Sequence, residues 1–412
     1  MTQASAPPTA TLPLQPWMTT SETRAVIAAL MARGSIARFV GGCVRDALSG
    51  RAVKDIDIAT PDPPAQVMDL LRAASIKAIP TGVDHGTVTA VVNGTPFEVT
   101  TLRRDVETMG RHARVAFTDD WAEDAARRDF TLNAIYCDSA GTLYDPTGGI
   151  ADLAAGKVRF VGNAGQRIEE DYLRILRFFR IFAHYGRFPA DSDALWACRQ
   201  HAKGLGILSA ERVAHEILRL LAAPDPANVM RLMLQAEVLR EVLPEAADLD
   251  RLAALTKVDG SDVVPVRRLA AVLGLSPVAA DAVSDRLKLS NRDRQRLLAA
   301  ASAAIGPSPD PQTARTTLYR EGAQAFVDQV YLRWAEAGGN PNESAYAALL
   351  DVARCWTPPV FPLSGEDVLA LGFERGPKIG ELLGEVERWW VDTGFSADRG
   401  ACLARLRALT QT

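Results

Sequence analysis

Strand-forming sequence is confined to the first 165 residues of this 412-residue chain, and this uneven distribution limits the fold more than any other feature. From residue 168 onward, apolar residues recur three and four positions apart, which is the period of an amphipathic helix. The chain is therefore predicted to be an α+β protein, with a small mixed sheet in its first part and helices alone in the remainder. The strand patterns cover residues 37–40, 54–59, 86–92 and 96–102.

Composition and length narrow the class of protein. Hydrophobic residues make up 48% and charged residues 23% of the sequence, which is the balance of a globular chain. No apolar stretch approaches the roughly 20 residues that cross a bilayer, so no membrane partner is predicted. Residues 1–20 lack the regions of a secretion signal and are predicted to be a disordered leader before a mixed domain at 21–165. The five cysteines are far apart, which favours a reducing compartment and a cytoplasmic location.

Two aspartates form the first candidate site. Asp55 and Asp57 lie in the alternating segment KDIDIA, which is typical of a strand. Two residues apart on a strand, their side chains leave the same face, with about 7 Å between their Cα atoms. Paired carboxylates of this kind suit Mg²⁺. The alternative interpretation is a pair of solvated charges on an edge strand.

A glycine-containing string precedes these aspartates and ends nine residues before Asp55. The string Gly41-Gly42-Cys43-Val44-Arg45-Asp46 follows an apolar strand and opens a helix, and this arrangement often binds phosphate through backbone N–H groups. Arg45 adds a bidentate phosphate donor. Alone, the string fits a tight turn with a surface arginine, but beside the aspartates it predicts a triphosphate held next to Mg²⁺. Glu98, on the 96–102 strand, is either a third metal carboxylate or a member of a cross-strand ion pair.

The next candidate segment carries two adjacent arginines, Arg127 and Arg128. A helix is predicted over 121–135, from which one of Arg127 and Arg128 reaches the triphosphate while the other pairs with Asp124 or Glu123. As an isolated string, the segment fits a solvated charged helix face.

The segment EDYLRILRFFR at 170–180 predicts a helix on which Asp171 and Arg174 are neighbours. A carboxylate beside a guanidinium matches the polarity of cytosine and adenine and opposes that of uracil and guanine. Arg177 and Arg180 continue the spacing and are predicted to hold phosphates or an RNA end. The alternative is a Glu170–Arg174 ion pair above an apolar stripe.

Taken together and in this order, GGCVRD, DID, RRDFTLNA, DPTGG, EDYLRILR and SAERV resemble the class II tRNA nucleotidyltransferases, which comprise the bacterial CCA-adding enzymes and their poly(A) polymerase relatives. The resemblance covers residues 36 to about 245. It implies a polymerase-β-like nucleotidyltransferase head, a helical neck at 166–245 that carries the nucleotide-selecting helix, and a helical body and tail at 246–412 that bind tRNA.

The resemblance also implies roles for individual residues. Asp55 and Asp57 are implied to be the catalytic Mg²⁺ ligands. The implied nucleotide contacts comprise Gly42, Arg45 and Arg128, the base-selecting Asp171 and Arg174, and finally Arg177 and Arg180.

The polar stretch between Arg103 and Phe117 corresponds in the family to a flexible loop that helps the change from C to A addition. Gly110 and Arg111 fit its pattern, whereas Met109 replaces the usual acidic residue and Ala113 the usual proline. The loop itself implies complete C-C-A addition, and the substitutions leave the A step open.

The function implied is template-independent addition of C, C and A to the 3′ end of tRNA from CTP and ATP, with Mg²⁺ as cofactor. A poly(A) polymerase is the first alternative, although no strongly basic C-terminal extension is present. A non-catalytic tRNA-binding module is the second alternative. The net charge of −4 means that an RNA partner requires local basic patches. The oligomeric state is left open.

Overall fold

The structure is a computed structural model that describes residues 7–107, 114–302, 305–306, 310–340 and 343–410. Contacts between residues divide the chain into two units, which meet between Pro244 and Glu245. This division lies one residue from the predicted boundary between neck and body. The predicted head and neck both lie in the first unit.

Within the described ranges the first unit contains ten strands. They are β1 (Ala10–Thr11), β2 (Arg38–Val40), β3 (Asp57–Thr60), β4 (Lys77–Gly82), β5 (Thr87–Val92), β6 (Thr95–Thr101), β7 (Arg103–Glu107), β8 (Arg114–Phe117), β9 (Tyr136–Cys137) and β10 (Thr142–Tyr144). Eight of them form one sheet in the order β1-β10-β9-β2-β3-β6-β5-β4, and β7 pairs with β8 separately. Because β3 and β6 run parallel while the other neighbours are antiparallel, the sheet is mixed, as predicted.

The helices of the first unit cover the sheet and then continue alone. They are α1 (Pro16–Thr19), α2 (Ser21–Met31), α3 (Gly42–Leu48), α4 (Pro64–Ala73), α5 (Trp121–Ala126), α6 (Gly149–Ala155), α7 (Ala164–Glu170), α8 (Leu173–Tyr185), α9 (Ser192–Gln200), α10 (Ala210–Leu221), α11 (Pro226–Gln235) and α12 (Leu239–Val242). A core of α2, α4 and the sheet forms around the fully buried Leu30, Phe39 and Leu71.

Local sequence signals explain several of these elements. Asn93 and Gly94 both have positive φ, 50° and 81°, as the two-residue turn between β5 and β6 requires. The apolar spacing over residues 229–243 predicts a single helix. The structure has two helices there, α11 and α12, because Glu237 adopts a φ of 60° between them.

The prediction of a disordered leader is wrong over the described residues from Thr9 onward. Thr9 N donates to Leu143 O at 2.8 Å and Leu12 N donates to Gly141 O at 2.8 Å, so this segment forms the edge of the sheet. Leu12 and Met18 are buried in the core. The segment is ordered because it covers apolar surface that would otherwise face water.

The predicted flexible loop is described only in part. β7 and β8 pair with Arg103 opposite Phe117. Met109, Gly110, Arg111 and Ala113 lie outside the described residues.

Among its described residues, the second unit contains helices joined by loops and no strands. Its helices are α13 (Leu249–Val258), α14 (Pro265–Val272), α15 (Pro277–Arg286), α16 (Asn291–Ala301), α17 (Pro311–Glu336), α18 (Ser344–Cys355), α19 (Gly365–Leu369), α20 (Pro377–Asp392) and α21 (Arg399–Thr410). The Ser290 hydroxyl caps α16 by accepting from Asp293 N at 3.1 Å. None of the helices in the described ranges is long and apolar enough to cross a membrane.

Candidate active site

A glycine turn brings the first candidate residues together. Gly41 joins β2 to α3 with φ 74° and ψ −125°, a backbone conformation that only glycine adopts without strain. A Cβ atom added to Gly41 would lie 3.8 Å from Asp57 Oδ2 and 3.8 Å from Arg128 Nη1. A carboxylate and a guanidinium from two distant segments therefore approach the same turn.

Three carboxylates meet at the start of β3. The strand begins at Asp57, so Asp55 precedes it, although Glu98 N donates to Ile56 O at 3.2 Å and continues the ladder toward Asp55. Asp57 and Glu98 are register partners on the parallel strands β3 and β6. Burial, followed by the negative charge of Glu98 and then that of Asp55, raises the pKa of Asp57 to about 6 despite the opposing charge of Arg128. Glu98 therefore lies beside the aspartates, and its role as a metal ligand stays a prediction.

Asp124 organises the two adjacent arginines. Its Oδ1 accepts from Arg127 Nε at 2.8 Å and Nη2 at 2.6 Å, and its Oδ2 accepts from Arg128 Nη2 at 3.0 Å. The Tyr136 hydroxyl also donates to Asp124 Oδ2, at 2.7 Å. Burial alone would raise the pKa of Asp124, but Arg128 and Arg127, together with the Tyr136 hydroxyl, lower it to about 2. Asp124 thus holds Arg128 in place as a permanently charged partner.

The predicted helix over 121–135 is wrong beyond Ala126. α5 ends there, Phe130 forms an isolated bridge with Phe160, and Thr131–Asn133 is a single three-ten turn before β9. The chain leaves the helix after α5 because its backbone pairs with another segment: Val161 N donates to Asp129 O at 3.1 Å, and Thr131 N donates to Arg159 O at 3.1 Å.

Arg45 is fixed by its sequence neighbour Asp46 and by two residues that are distant in sequence, Asn133 and Tyr185. Its Nη1 donates to Asn133 Oδ1 at 2.5 Å and its Nη2 to Asp46 Oδ1 at 2.9 Å. The guanidinium also lies over the Tyr185 ring, 4.3 Å from its centroid, and the Tyr185 hydroxyl donates to Asp46 at 2.5 Å. The predicted phosphate donor is therefore oriented before any ligand binds.

Asp129 links the head to the predicted selecting helix. Arg177 Nη2 lies 2.5 Å from Asp129 Oδ2, and Asn133 Nδ2 donates to Asp129 Oδ1 at 3.0 Å. Burial would raise the pKa of Asp129, but the charge of Arg177, the Asn133 bond and the charge of Arg174 together hold it below its ordinary value. The arginines of α8 thus meet the RRDFTLNA segment.

The predicted contact between Asp171 and Arg174 is not formed as a side-chain pair. Asp171 lies between α7 and α8 in extended conformation, with φ −156° and ψ 106°, so the two residues are not neighbours on one helix. Asp171 Oδ2 accepts from Arg212 Nη2 at 2.6 Å, whereas Arg174 pairs with Glu170. The Glu170–Arg174 ion pair is the alternative that the spacing offered. The two predicted selecting groups are thus anchored separately.

Arg180 is placed differently from its predicted role. Its side chain is only 8% exposed, and Nε donates to Glu216 Oε2 of α10 at 2.5 Å. A guanidinium enclosed in this way has no open surface for a nucleotide. In this structure, Arg180 therefore ties α8 to α10.

The chain is similar to known proteins along most of its length. The model of the "Poly A polymerase head domain" matches residues 37–159, and that of the "Probable RNA and SrmB- binding site of polymerase A" matches residues 188–249. The mitochondrial CCA tRNA nucleotidyltransferase 1 of Mus musculus is 35% identical over 384 residues, which cover 90% of this chain and 86% of the relative. The CCA-adding enzyme of Latilactobacillus sakei is 30% identical and is covered over 93% of its length.

The chain belongs to the CCA tRNA nucleotidyltransferase family. The predictions of this family and of its enzyme activity are therefore confirmed.

The structure of the Bacillus stearothermophilus CCA-adding enzyme in complex with CTP matches 97% of this chain and 98% of that one. The TM-score is 0.81 and the sequence identity is 29%. The predicted α+β class with a helical remainder is thus confirmed for this nucleotidyltransferase. The relatives do not favour the poly(A) polymerase alternative.

Sequence reasoning assigned no role to three residues that shape this site. Asn133 and Asp129 lie within RRDFTLNA, and Arg212 lies within SAERV, so the motifs contained them but gave no hint of their partners. The only available signal was their position in strings rich in charge and amide groups. Their bonds reach Arg45, Arg177 and Asp171, the last 41 positions away from Arg212, which local periodicity does not report.

Proposed function

We propose that this nucleotidyltransferase adds C, C and A to the 3′ end of tRNA from CTP and ATP by two-metal nucleotidyl transfer, releasing pyrophosphate. The observation that carries the proposal is the meeting of Asp55, Asp57 and Glu98 beside Gly41 and Arg128. Carboxylates that face a glycine turn and a guanidinium suit a metal-bound triphosphate.

The residues at this point fit magnesium. The donors are carboxylate oxygens, and their mutual repulsion contributes to the raised pKa of Asp57, so a divalent cation would relieve an existing conflict. Among the residues that the structure describes, no group of three or more His, Cys, Asp or Glu is arranged to hold a metal ion. Mg²⁺ commonly takes one or two carboxylates and completes its shell with water and substrate phosphates. Asp55 and Asp57 are the proposed ligands, and Glu98 adds negative charge beside them.

When bound, magnesium supplies Lewis acidity for ionising the RNA 3′-hydroxyl and stabilising the departing pyrophosphate. The protein's own part is orientation and charge. Gly42 leaves the start of α3 open, with its added Cβ position 3.7 Å from Arg45 Nη2. Arg45 and Arg128, both held by carboxylates, are the proposed contacts to the triphosphate.

Base selection is proposed for Asp171 and Arg174 as two separately anchored groups. Arg212 fixes one oxygen of Asp171, while Leu173 N donates to the other at 3.1 Å. Arg174 Nη1 donates to Arg167 O at 2.7 Å and pairs with Glu170. An anchored acceptor and an anchored donor discriminate bases more sharply than mobile side chains, because the protein loses little freedom on binding.

The proposal also covers the remaining predicted residues, the second unit and the location. Arg177, which is 38% exposed, is proposed to contact the nucleotide, and residues 246–412 are proposed to bind tRNA. Arg180 is left out of the nucleotide site because of its buried bond to Glu216. The cytoplasmic location stays a prediction, since one relative is named as mitochondrial.

The test uses purified protein, Mg²⁺ and tRNA that lacks its 3′ end, with each labelled nucleotide offered singly and then in pairs. Wild type should add two C residues and one A and then stop, whereas a long A tract would identify a poly(A) polymerase. Asp55→Ala should abolish incorporation and leave tRNA binding intact. Asp69→Ala, which removes an exposed carboxylate paired with Arg72, is the control and should behave as wild type. Normal turnover by Asp55→Ala would refute the metal assignment.

A further inference from the structure

The side chain of Asn133 lies between the proposed phosphate donor and the predicted selecting helix. Asn133 is 9% exposed, at the end of the Thr131–Asn133 turn. Its Oδ1 accepts from Arg45 Nη1 at 2.5 Å, and its Nδ2 donates to Asp129 Oδ1 at 3.0 Å. Its backbone oxygen accepts from Arg128 Nη1 at 3.4 Å. One residue therefore touches two proposed triphosphate contacts and the carboxylate that binds Arg177.

These contacts form a continuous path. From Arg45 on α3 it passes through Asn133 and Asp129 to Arg177 on α8. The first two steps are hydrogen bonds of 2.5 and 3.0 Å, and the third is an ion pair of 2.5 Å. The two partners of the Asn133 side chain, Arg45 and Asp129, fix the orientation of its amide, because a guanidinium only donates and a carboxylate only accepts. A side chain with one acceptor and one donor on a short stem is needed at the middle, and asparagine supplies both.

We propose that Asn133 is a positioning residue that sets Arg45 for the triphosphate and keeps it in register with Arg177. The proposal rests on the nucleotide site described under Proposed function. Asn133 acts through Arg45 and touches no base-reading group directly. Since CTP and ATP carry the same triphosphate, its loss should weaken both nucleotides equally and leave the choice between bases unchanged.

The first experiment measures equilibrium binding and steady-state kinetics of CTP and ATP with the full-length chain in Mg²⁺. Asn133→Ala should raise the dissociation constant and the KM of both nucleotides by about tenfold, the usual effect of losing a hydrogen bond to a charged group. Their ratio should stay at the wild-type value. Asn228→Ala is the matched control, because the exposed Asn228 amide also bridges an arginine and a carboxylate outside this site: it accepts from Arg231 Nη1 at 2.9 Å and donates to Asp225 Oδ2 at 2.7 Å.

The deciding experiment is a double-mutant cycle with Arg45→Ala. If Asn133 works through Arg45, Asn133→Ala should cause little further change in CTP affinity once Arg45 is removed, so that the two effects are strongly non-additive. Fully additive effects would overturn the proposal and assign Asn133 a purely structural role. Normal affinity in Arg45→Ala alone would instead refute the placement of Arg45 in the nucleotide site, which is a failure of the proposed function.

A second variant guards against loss of folding. If Asn133→Ala does not give folded protein by thermal denaturation, Asn133→Ser replaces it in the same cycle, because its hydroxyl is too short to bridge both partners. Coupling to Arg45→Ala supports the proposal, and additivity overturns it. A change in the CTP-to-ATP ratio in either variant would also contradict the proposal.

Discussion

Replacing Asp124 tests the buried ion pairs that this residue forms with Arg127 and Arg128. It is 1% exposed and accepts hydrogen bonds from Arg127, Arg128 and Tyr136. Asp124→Asn keeps the shape of the side chain and removes its charge, so two guanidinium groups lose their shared partner. Breaking a buried ion pair from one side costs about 3–5 kcal/mol.

The pKa of Asp124 gives an independent magnitude. The interval between its ordinary value of 3.8 and the folded value of about 2 corresponds to roughly 2 kcal/mol of stability at neutral pH. A depressed folded pKa means that this stability is complete above about pH 4 and is lost as the pH falls toward 2. At pH 3 about half of it should remain. We therefore expect Asp124→Asn to lower stability by about 3 kcal/mol at pH 7. The difference in stability between wild type and variant should narrow by about 1 kcal/mol at pH 3.

Hydrogen exchange of peptides spanning residues 121–137 measures this locally, because it reports the opening free energy of α5 and β9 without averaging over the second unit. Asp69→Asn is the control, since Asp69 forms only an exposed pair with Arg72, which contributes at most about 1 kcal/mol. The reasoning fails if Asp124→Asn alters these peptides no more than Asp69→Asn does. It also fails if the difference in stability is the same at both pH values.

Three other changes address single contacts. Arg180→Met should destabilise the protein by about 3 kcal/mol, because it leaves Glu216 buried and unpaired. The ratio of CTP to ATP use should stay constant. A shifted ratio with a normal melting temperature would instead place Arg180 in the nucleotide site. Gly41→Ala should lower the free energy of unfolding by about 1–3 kcal/mol, because alanine is strained at φ 74°. The melting temperature should fall and CTP binding should weaken. An unchanged melting temperature would contradict the predicted strain. Arg212→Ala should release Asp171 and increase UTP misincorporation about tenfold, measured by single-nucleotide extension, whereas unchanged fidelity would show that this anchor is dispensable.

Local sequence predicted the backbone of the head well. The Gly41 turn and the β5–β6 hairpin at Asn93 and Gly94 both follow from signals within a few residues. These features depend on φ preferences and on period-two alternation, which each segment carries by itself. The helical character after residue 168 is likewise a property of apolar spacing.

Partner choice among charged groups was not predictable in the same way. The spacing of Asp171 and Arg174 favoured a direct pair, yet Asp171 binds Arg212 from α10 and Arg174 binds Glu170. Arg180 has the same spacing but faces Glu216. Side chains with equal spacing along a helix differ only in which neighbouring element packs against them, and that information is absent from the segment.

The sequence by itself determined the fold class, the glycine turn and the acidic strand, because these follow from backbone preferences and periodicity that act over short distances. The tertiary structure alone decided that β1 closes the sheet against β10, that the chain leaves the helix after Ala126, and that Asn133 bridges Arg45 and Asp129. Each of these outcomes depends on burying a surface or satisfying a buried polar group with a partner from another segment. Such pairings are settled only when the whole core assembles.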